Sequence, residues 1–175
     1  MELDDRAHSV RLDRDKSTLT LRTRAGGFFG ALAHDLELTA TFARGTATRD
    51  GARWEGEVAI EAAAIKVVGV IKKGHVDKSV LSASDVREIE RRIVDELGVR
   101  EVVVRASGTA DRPEVKVTAK RETSARLKAR ANGEQGFTLT GTVSIKGLGL
   151  PEVKGPLGAF VIKDDVEVEA TAVFA

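Results

Sequence analysis

A single helix-forming segment stands among strands that alternate apolar and polar residues, and this contrast constrains the fold most. The segment covers about residues 83–97 of the 175-residue chain. Ser82 is placed as its N-cap, Asp85 as the capping-box partner three residues later, and Gly98 as the residue that ends it. The sequence therefore predicts one α-helix, about 83–97, with start and stop signals of its own.

The predicted helix carries apolar residues along one face. Its stripe consists of Val86, Ile89, Ile93, Val94 and Leu97. One helix cannot cover a large sheet on both faces, so the sheet must close on itself or fold over. A closed sheet with a helix beside it would form a container.

Most of the remaining chain has the period-two alternation of half-buried strands. Clear examples are the segments 19–21, 36–42, 54–60, 115–119, 125–129, 137–145 and 166–174. Gly69 predicts a bulge or bend in its strand, and segment 44–53, with its Asp-Gly pair, is predicted as a turn or short edge segment. About eight to ten strands joined by mostly short turns favour an antiparallel meander.

Length and composition exclude several classes of protein. A chain of this length suits one hydrophobic core, so a single domain over 1–175 is predicted. The 28 basic and 27 acidic residues give no electrostatic signature of nucleic-acid binding. No apolar run approaches the roughly 20 residues of a membrane span. The acidic start lacks the apolar core of a signal peptide, so a cytoplasmic location is the expectation.

Several segments together resemble the YceI-like family. They are the N-terminal AHSVRL, the AHDLEL that ends a Gly-aromatic stretch, the helix LSASDVREIERRI and the C-terminal run from GTVSIKG to ATAVF. His8-Ser9 and His34 match His positions of that family. The family's Leu-x-Gly-Val-Thr-x-Pro hairpin is not recognisable here, so the register of residues 110–135 is left open.

The resemblance implies an antiparallel, lipocalin-like β-barrel of about eight strands with one packed helix. It also implies that the barrel holds a long apolar molecule such as a polyprenyl chain, with a fatty-acyl ligand as another candidate and no cofactor. Four residues on apolar strand faces are expected to contact the ligand: Leu36, Leu38, Trp54 and Phe137. A barrel of this size either encloses one small ligand or is filled by its own side chains.

Polar residues near the barrel mouth are candidates for contacts with the head of a ligand. We expect His34, Arg126 and Arg130 in this role. The alternative for the two arginines is a solvated sheet face, paired with acidic residues such as Glu167 and Glu169 across neighbouring strands.

Three apolar residues surrounded by glycines form a further candidate site. Phe28, Phe29 and Leu32 would be either a flexible lip over the barrel mouth or a plug that closes one end. The sequence alone does not separate these two interpretations.

The predicted function is non-catalytic binding and carriage of an apolar lipid or isoprenoid-type ligand. One alternative is a filled barrel that serves as an interaction or structural domain. Another is an enzyme with a cavity acid or base, which the apolar inward positions disfavour. The three His are too far apart to predict a metal site. A homodimer also remains open, because a sheet edge is a natural isologous contact.

Overall fold

The computed structural model describes residues 8–26, 34–109, 111–132, 135–154 and 161–175. Within these ranges the chain is mainly β-structure, and every strand pair is antiparallel. In chain order the elements are β1 (His8–Arg11), β2 (Thr18–Thr23), β3 (Ala25–Gly26), β4 (Asp35–Ala40), β5 (Phe42–Asp50), β6 (Arg53–Glu61), β7 (Lys66–Lys72), β8 (His75–Asp77), α1 (Ala83–Leu97), β9 (Glu101–Thr109), β10 (Arg112–Thr118), β11 (Glu122–Ser124), β12 (Arg126–Ala131), β13 (Gly136–Ser144), β14 (Val161–Ile162) and β15 (Asp165–Val173). A short 3-10 helix, Ala62–Ala64, links β6 to β7.

The strands form two large sheets, which differs from the single closed sheet expected from sequence. Sheet 1 has the order β1-β5-β6-β9-β10-β11, and sheet 2 has the order β12-β13-β15-β2-β4-β7-β8. A two-stranded ladder joins β14 to β3. The ladders among the described residues do not close into one barrel, and the antiparallel β-class predicted from the sequence is confirmed.

Hydrogen bonds nevertheless join the two sheets at two corners. At one corner the N–H of Arg11 donates to the carbonyl of Ala175 at 3.0 Å, beside a bridge between Leu12 and Phe174. At the other, the N–H of Ala125 donates to the carbonyl of Val115 at 2.8 Å. The inner faces of both sheets therefore contribute to one common hydrophobic core.

The helix begins and ends where the sequence predicts. The Ser82 side chain accepts from the N–H of Asp85, and the Asp85 carboxylate accepts in return from the N–H of Ser82 at 2.9 Å, which completes the capping box. Gly98 ends the helix with a left-handed φ of 57°. Val94 departs from the prediction: it is 37% exposed, because it lies at the border of the apolar stripe.

Segment 44–53, predicted as a turn or edge, is mostly strand. It forms the larger part of β5, which lies between β1 and β6 inside sheet 1. The expected turn is confined to Gly51 and Ala52, with Gly51 at a φ of 57°, because Asp50 and Arg53 are already paired across the hairpin. In this strand, inward and outward side chains alternate at Ala47, which is buried and lies between the more exposed Thr46 and Thr48. Residues this small and polar give a weak hydrophobic signal even in a central strand.

Two further details of register follow from the pairing. The predicted irregularity at Gly69 is confirmed, because the register between β4 and β7 shifts between Glu37 and Leu38, where Gly69 and Val67 are the partners. The register left open over 110–135 is also settled for the described strands: β10 pairs with β9, and β12 pairs with β13.

None of the described helices is long and apolar enough to cross a membrane.

Candidate functional site

A cavity of about 540 Å³ lies between the inner faces of the two sheets. Alternation turns every second side chain of the strands inward, so apolar residues make most of its wall. From sheet 2 the wall includes Leu19, Leu21, Leu36, Leu38, Leu127, Ala129, Phe137, Leu139, Val166, Val168, Ala170 and Ala172. Its volume is within the range of pockets that enclose small organic ligands.

Sheet 1 and the helix supply the rest of the apolar wall. The contributing side chains are Trp54, Val58, Ile60, Val102, Val104, Ala106 and Val117 from the sheet, with Ile89, Ile93 and Leu97 from α1. The helix therefore presents its predicted apolar face directly to the cavity. Sequence reasoning foresaw a packed helix but did not assign it a place in the site.

Aromatic side chains concentrate around Trp54. The rings of Trp54 and Phe137 meet edge-to-face with centroids 4.7 Å apart, and Phe174 lies tilted at 6.5 Å. The Arg49 guanidinium lies 5.4 Å from the centroid of the Trp54 ring. These contacts hold the indole in one orientation against the cavity.

A carboxylate fixes the helix to sheet 2. Glu90 accepts a hydrogen bond from the N–H of Val67 at 3.0 Å and another from Nζ of Lys66 at 3.2 Å. The side chain of Glu90 is only 19% exposed, so its bond to the Val67 N–H is partly shielded from solvent, whereas the Lys66 side chain is 56% exposed. They hold α1 at the edge of β7, where its inner face borders the cavity.

Charged groups in the cavity wall lie near the solvent. Four of them are exposed, namely His34, Glu55, Arg92 and Lys154, and two are half-buried, namely Glu57 and Glu96. Lys154 is already paired with Glu152 at 3.1 Å. These exposed residues mark places where the cavity reaches the protein surface, while its interior is apolar.

One polar group in the described part of the wall has no hydrogen-bond partner there. The hydroxyl oxygen of Thr23 is buried and makes no hydrogen bond with any described residue. Thr23 follows Leu19 and Leu21 at two-residue steps on β2, which places it on the inward face. Sequence reasoning missed this residue, although the same alternation would have identified it.

Ion pairs cover the opposite, outer face of the central strands of sheet 2. Arg22 pairs with Glu37 at 3.0 Å and with Glu169 at 3.1 Å, and these hydrogen bonds, above all the one to Glu169, raise the pKa of Arg22. Arg24 pairs with Glu167 at 2.9 Å, which likewise raises the pKa of Arg24. The charges on these strands are therefore engaged with each other and lie away from the cavity.

The structure places the predicted site residues in three groups. The cavity wall brings together His34, Leu36, Leu38, Trp54 and Phe137. Phe28, Phe29 and Leu32 lie outside the described residues.

Arg126 and Arg130 form the third group and are exposed, because Leu127 and Ala129 take the inward positions of β12. Arg126 pairs with Asp165 at 2.8 Å. The acidic partners proposed for this face, Glu167 and Glu169, pair instead with Arg24 and Arg22. A contact between either arginine and a ligand head stays a prediction.

Comparison with known proteins adds information on the fold. No protein-family model matches the chain, and no curated protein matches it. The crystal structure of BcnA from Burkholderia cenocepacia is similar with a TM-score of 0.58, over 94% of this chain and 99% of that one. The chain shares the fold of BcnA. BcnA is a YceI-like protein, so the match supports the YceI-like fold expected from sequence, and at 13% identity it shows the fold alone.

Proposed function

We propose that this protein binds an apolar lipid or isoprenoid-type ligand in the cavity and carries it without transforming it. The observation that carries the proposal is a cavity of about 540 Å³ with an almost wholly apolar wall. Empty apolar space of this size sacrifices packing contacts, and an apolar chain would restore them. Each buried methylene group would contribute about 0.8 kcal/mol before the costs of ordering.

The volume limits the length of the ligand. Since a water molecule occupies about 30 Å³ of the liquid and a methylene group is of similar size, the cavity has room for on the order of 18 such groups. A fatty-acyl chain or a short isoprenoid fits this estimate. A longer polyprenyl chain would have to extend past α1 or out of the cavity.

The distribution of ionisable groups favours carriage over catalysis. A cavity acid or base would need to sit beside the ligand in a protected environment. In the described part of the wall, His34, Glu55, Arg92 and Lys154 are exposed to solvent, Glu57 and Glu96 are half-buried, and the fully buried lining residues are apolar. This arrangement supports a binding protein.

The chain contains its own reporter for the test. Trp54 is the single tryptophan, there is no tyrosine, and its indole borders the cavity. We expect titration with saturated alcohols of increasing chain length to change its fluorescence. Kd should fall by about fourfold for each added methylene until the cavity is full. If the protein binds none of these alcohols, Trp54 fluorescence would stay constant across the series. That result would favour a filled barrel that serves as an interaction domain.

A matched variant locates the binding site. Leu38→Trp on the Trp54→Phe background would move the reporter to the sheet 2 side of the same cavity. A ligand within the cavity should alter this second reporter with the same Kd. A response confined to Trp54 would indicate binding at the surface.

A further inference from the structure

We propose that the outer face of β12 docks on an anionic lipid surface. Its outward side chains, Arg126, Lys128 and Arg130, follow each other at two-residue steps over about 14 Å, and all three are exposed. Docking of this kind needs no molecule in the cavity. It therefore goes beyond lipid carriage and can be measured apart from it.

Two of these cations have no counter-charge in the described part of the chain. Arg126 pairs with Asp165 at 2.8 Å, whereas Lys128 and Arg130 have no carboxylate of a described residue within ion-pair distance. The cross-strand partners of the three cations on β13 are uncharged. They are Thr142, Thr140 and Thr138. An anionic surface is therefore the electrostatic complement of this face.

Nearby carboxylates are engaged by other cations. Glu167 and Glu169 lie on β15, two strands from β12 and about 10 Å away. Both already pair with arginines, at 2.9 and 3.1 Å. On the other side of β12, Glu114 of β10 contacts Lys116 at 3.8 Å. The described residues around β12 therefore leave its outer face positively charged.

The charged face lies beside an open seam in the cavity wall. The N–H of Ala125 donates to the carbonyl of Val115, but no ladder among the described strands joins β12 to β10. Pro113, two residues before Val115 and so on the same side of β10, has no N–H to donate across the seam. Pro113 and Leu127, on opposite sides of the seam, both border the cavity. An apolar molecule that leaves a lipid surface beside β12 would meet the cavity at this open edge.

A lipid surface matches this face better than a nucleic acid does. Proteins that bind single-stranded nucleic acids combine basic grooves with aromatic rings on which bases stack. The outward positions of β12 and their partners on β13 carry only basic residues and threonines. Directly behind them, Leu127 and Ala129 line an apolar cavity. Each lysine or arginine close to an anionic bilayer increases partitioning about fivefold.

Vesicle flotation tests this docking. The wild type, without added ligand, is mixed with vesicles of phosphatidylglycerol and phosphatidylcholine in equal parts, or of phosphatidylcholine alone. We expect it to float with the mixed vesicles only. Lys128→Gln combined with Arg130→Gln should reduce partitioning about 25-fold, because both unpaired cations are removed. Added salt should weaken binding of the wild type, since it screens the charges.

Arg91→Gln combined with Arg105→Gln is the matched control. It removes the same charge from α1 and β9, where both arginines are exposed and pair with carboxylates. Vesicle binding by this variant should remain close to that of the wild type. Both double variants should keep the wild-type Tm, because exposed charges contribute little to stability. A loss of vesicle binding would then not reflect a loss of fold.

The results separate docking from lipid carriage. Docking would be overturned if the wild type bound no vesicles, bound phosphatidylcholine equally well, or bound as tightly after replacement of Lys128 and Arg130. Retention on immobilised polyglutamate without vesicle binding would also overturn it and would assign the face to an acidic polypeptide. The response of Trp54 to 1-dodecanol without vesicles reports on the cavity alone. Its absence would overturn lipid carriage and leave docking in place.

Discussion

The Glu90 carboxylate accepts a hydrogen bond from the backbone N–H of Val67 at 3.0 Å, and this bond fixes α1 beside the cavity. Glu90→Ala would leave that N–H without its acceptor and remove the ion pair with Lys66. We expect the free energy of unfolding to fall by about 1–3 kcal/mol, measured by chemical denaturation. Ligand dissociation should also become faster, because the helix that borders the cavity is less firmly held.

Glu88→Ala is the control for this prediction. Glu88 lies on the same helix but pairs only with Arg91 at the exposed surface. Surface ion pairs of this kind contribute little to stability, so the variant should resemble the wild type. Equal destabilisation by both substitutions would show that the loss of a helix carboxylate in general, and not the bond to Val67, accounts for the effect, since alanine itself favours the helix.

Filling the cavity tests whether it is empty without ligand. Ala170 borders the cavity and is 6% exposed, so Ala170→Leu would extend a larger side chain into the open volume. We expect stability to be maintained or raised by about 1 kcal/mol. Affinity for a long-chain alcohol should fall at least tenfold, because the added atoms occupy the space of the ligand. Thermal denaturation and Trp54 fluorescence measure the two effects.

Ala59→Leu provides the contrast. Ala59 is completely buried but does not belong to the cavity wall, so the larger side chain has no open volume to enter. Overpacking should cost about 1–3 kcal/mol. If Ala170→Leu lowered the free energy of unfolding as much as Ala59→Leu, the interior would already be filled by side chains. The proposal that the cavity holds a ligand would then fail.

The carboxylate of Asp164 is expected to make the stability of the folded protein depend on pH in the acidic range. It accepts hydrogen bonds from the N–H of Lys146 and the hydroxyl of Ser144, both at 2.7 Å, and these lower the pKa of Asp164 below its ordinary value of 3.8. A carboxyl group whose pKa is lower in the folded state than in the unfolded state stabilises the folded protein at pH values above the unfolded pKa. This contribution is lost as the pH falls through the lower, folded value.

Asp164→Asn should therefore be less stable than the wild type at neutral pH, and the difference should shrink below about pH 4. Denaturant unfolding of both proteins at a series of pH values measures this convergence. The loop that Asp164 holds includes Ile145 and Leu148, which border the cavity. A constant difference across the pH range would show that the ionised form makes no special contribution.

Local signals in the sequence were sufficient to predict some secondary-structure elements and insufficient to predict others. The helix was predicted with its correct ends because Ser82, Asp85 and Gly98 act through bonds to nearby residues. Strand β5 was missed because its small residues lack the hydrophobic contrast on which alternation depends. The corners at which the two sheets meet depend on long-range pairing, such as that of Leu12 with Phe174, which local pattern does not encode.

The same distinction applies to the candidate site. Leu38 and Trp54 lie in a common cavity wall because period-two alternation sets the face of each residue, and their contact with a ligand stays a prediction. Alternation also explains why Arg126 lies outside, next to the inward Leu127. The unpaired hydroxyl of Thr23 could not be foreseen, because the absence of a partner depends on every residue packed around it.

Native mass spectrometry of the freshly purified protein, followed by organic extraction, is the most direct test of lipid carriage. We expect a mass above that of the bare chain and release of a single-chain apolar molecule. A bare mass, together with no rise in Tm on addition of long-chain alcohols or fatty acids, would contradict lipid carriage. That result would favour a domain that acts through protein partners.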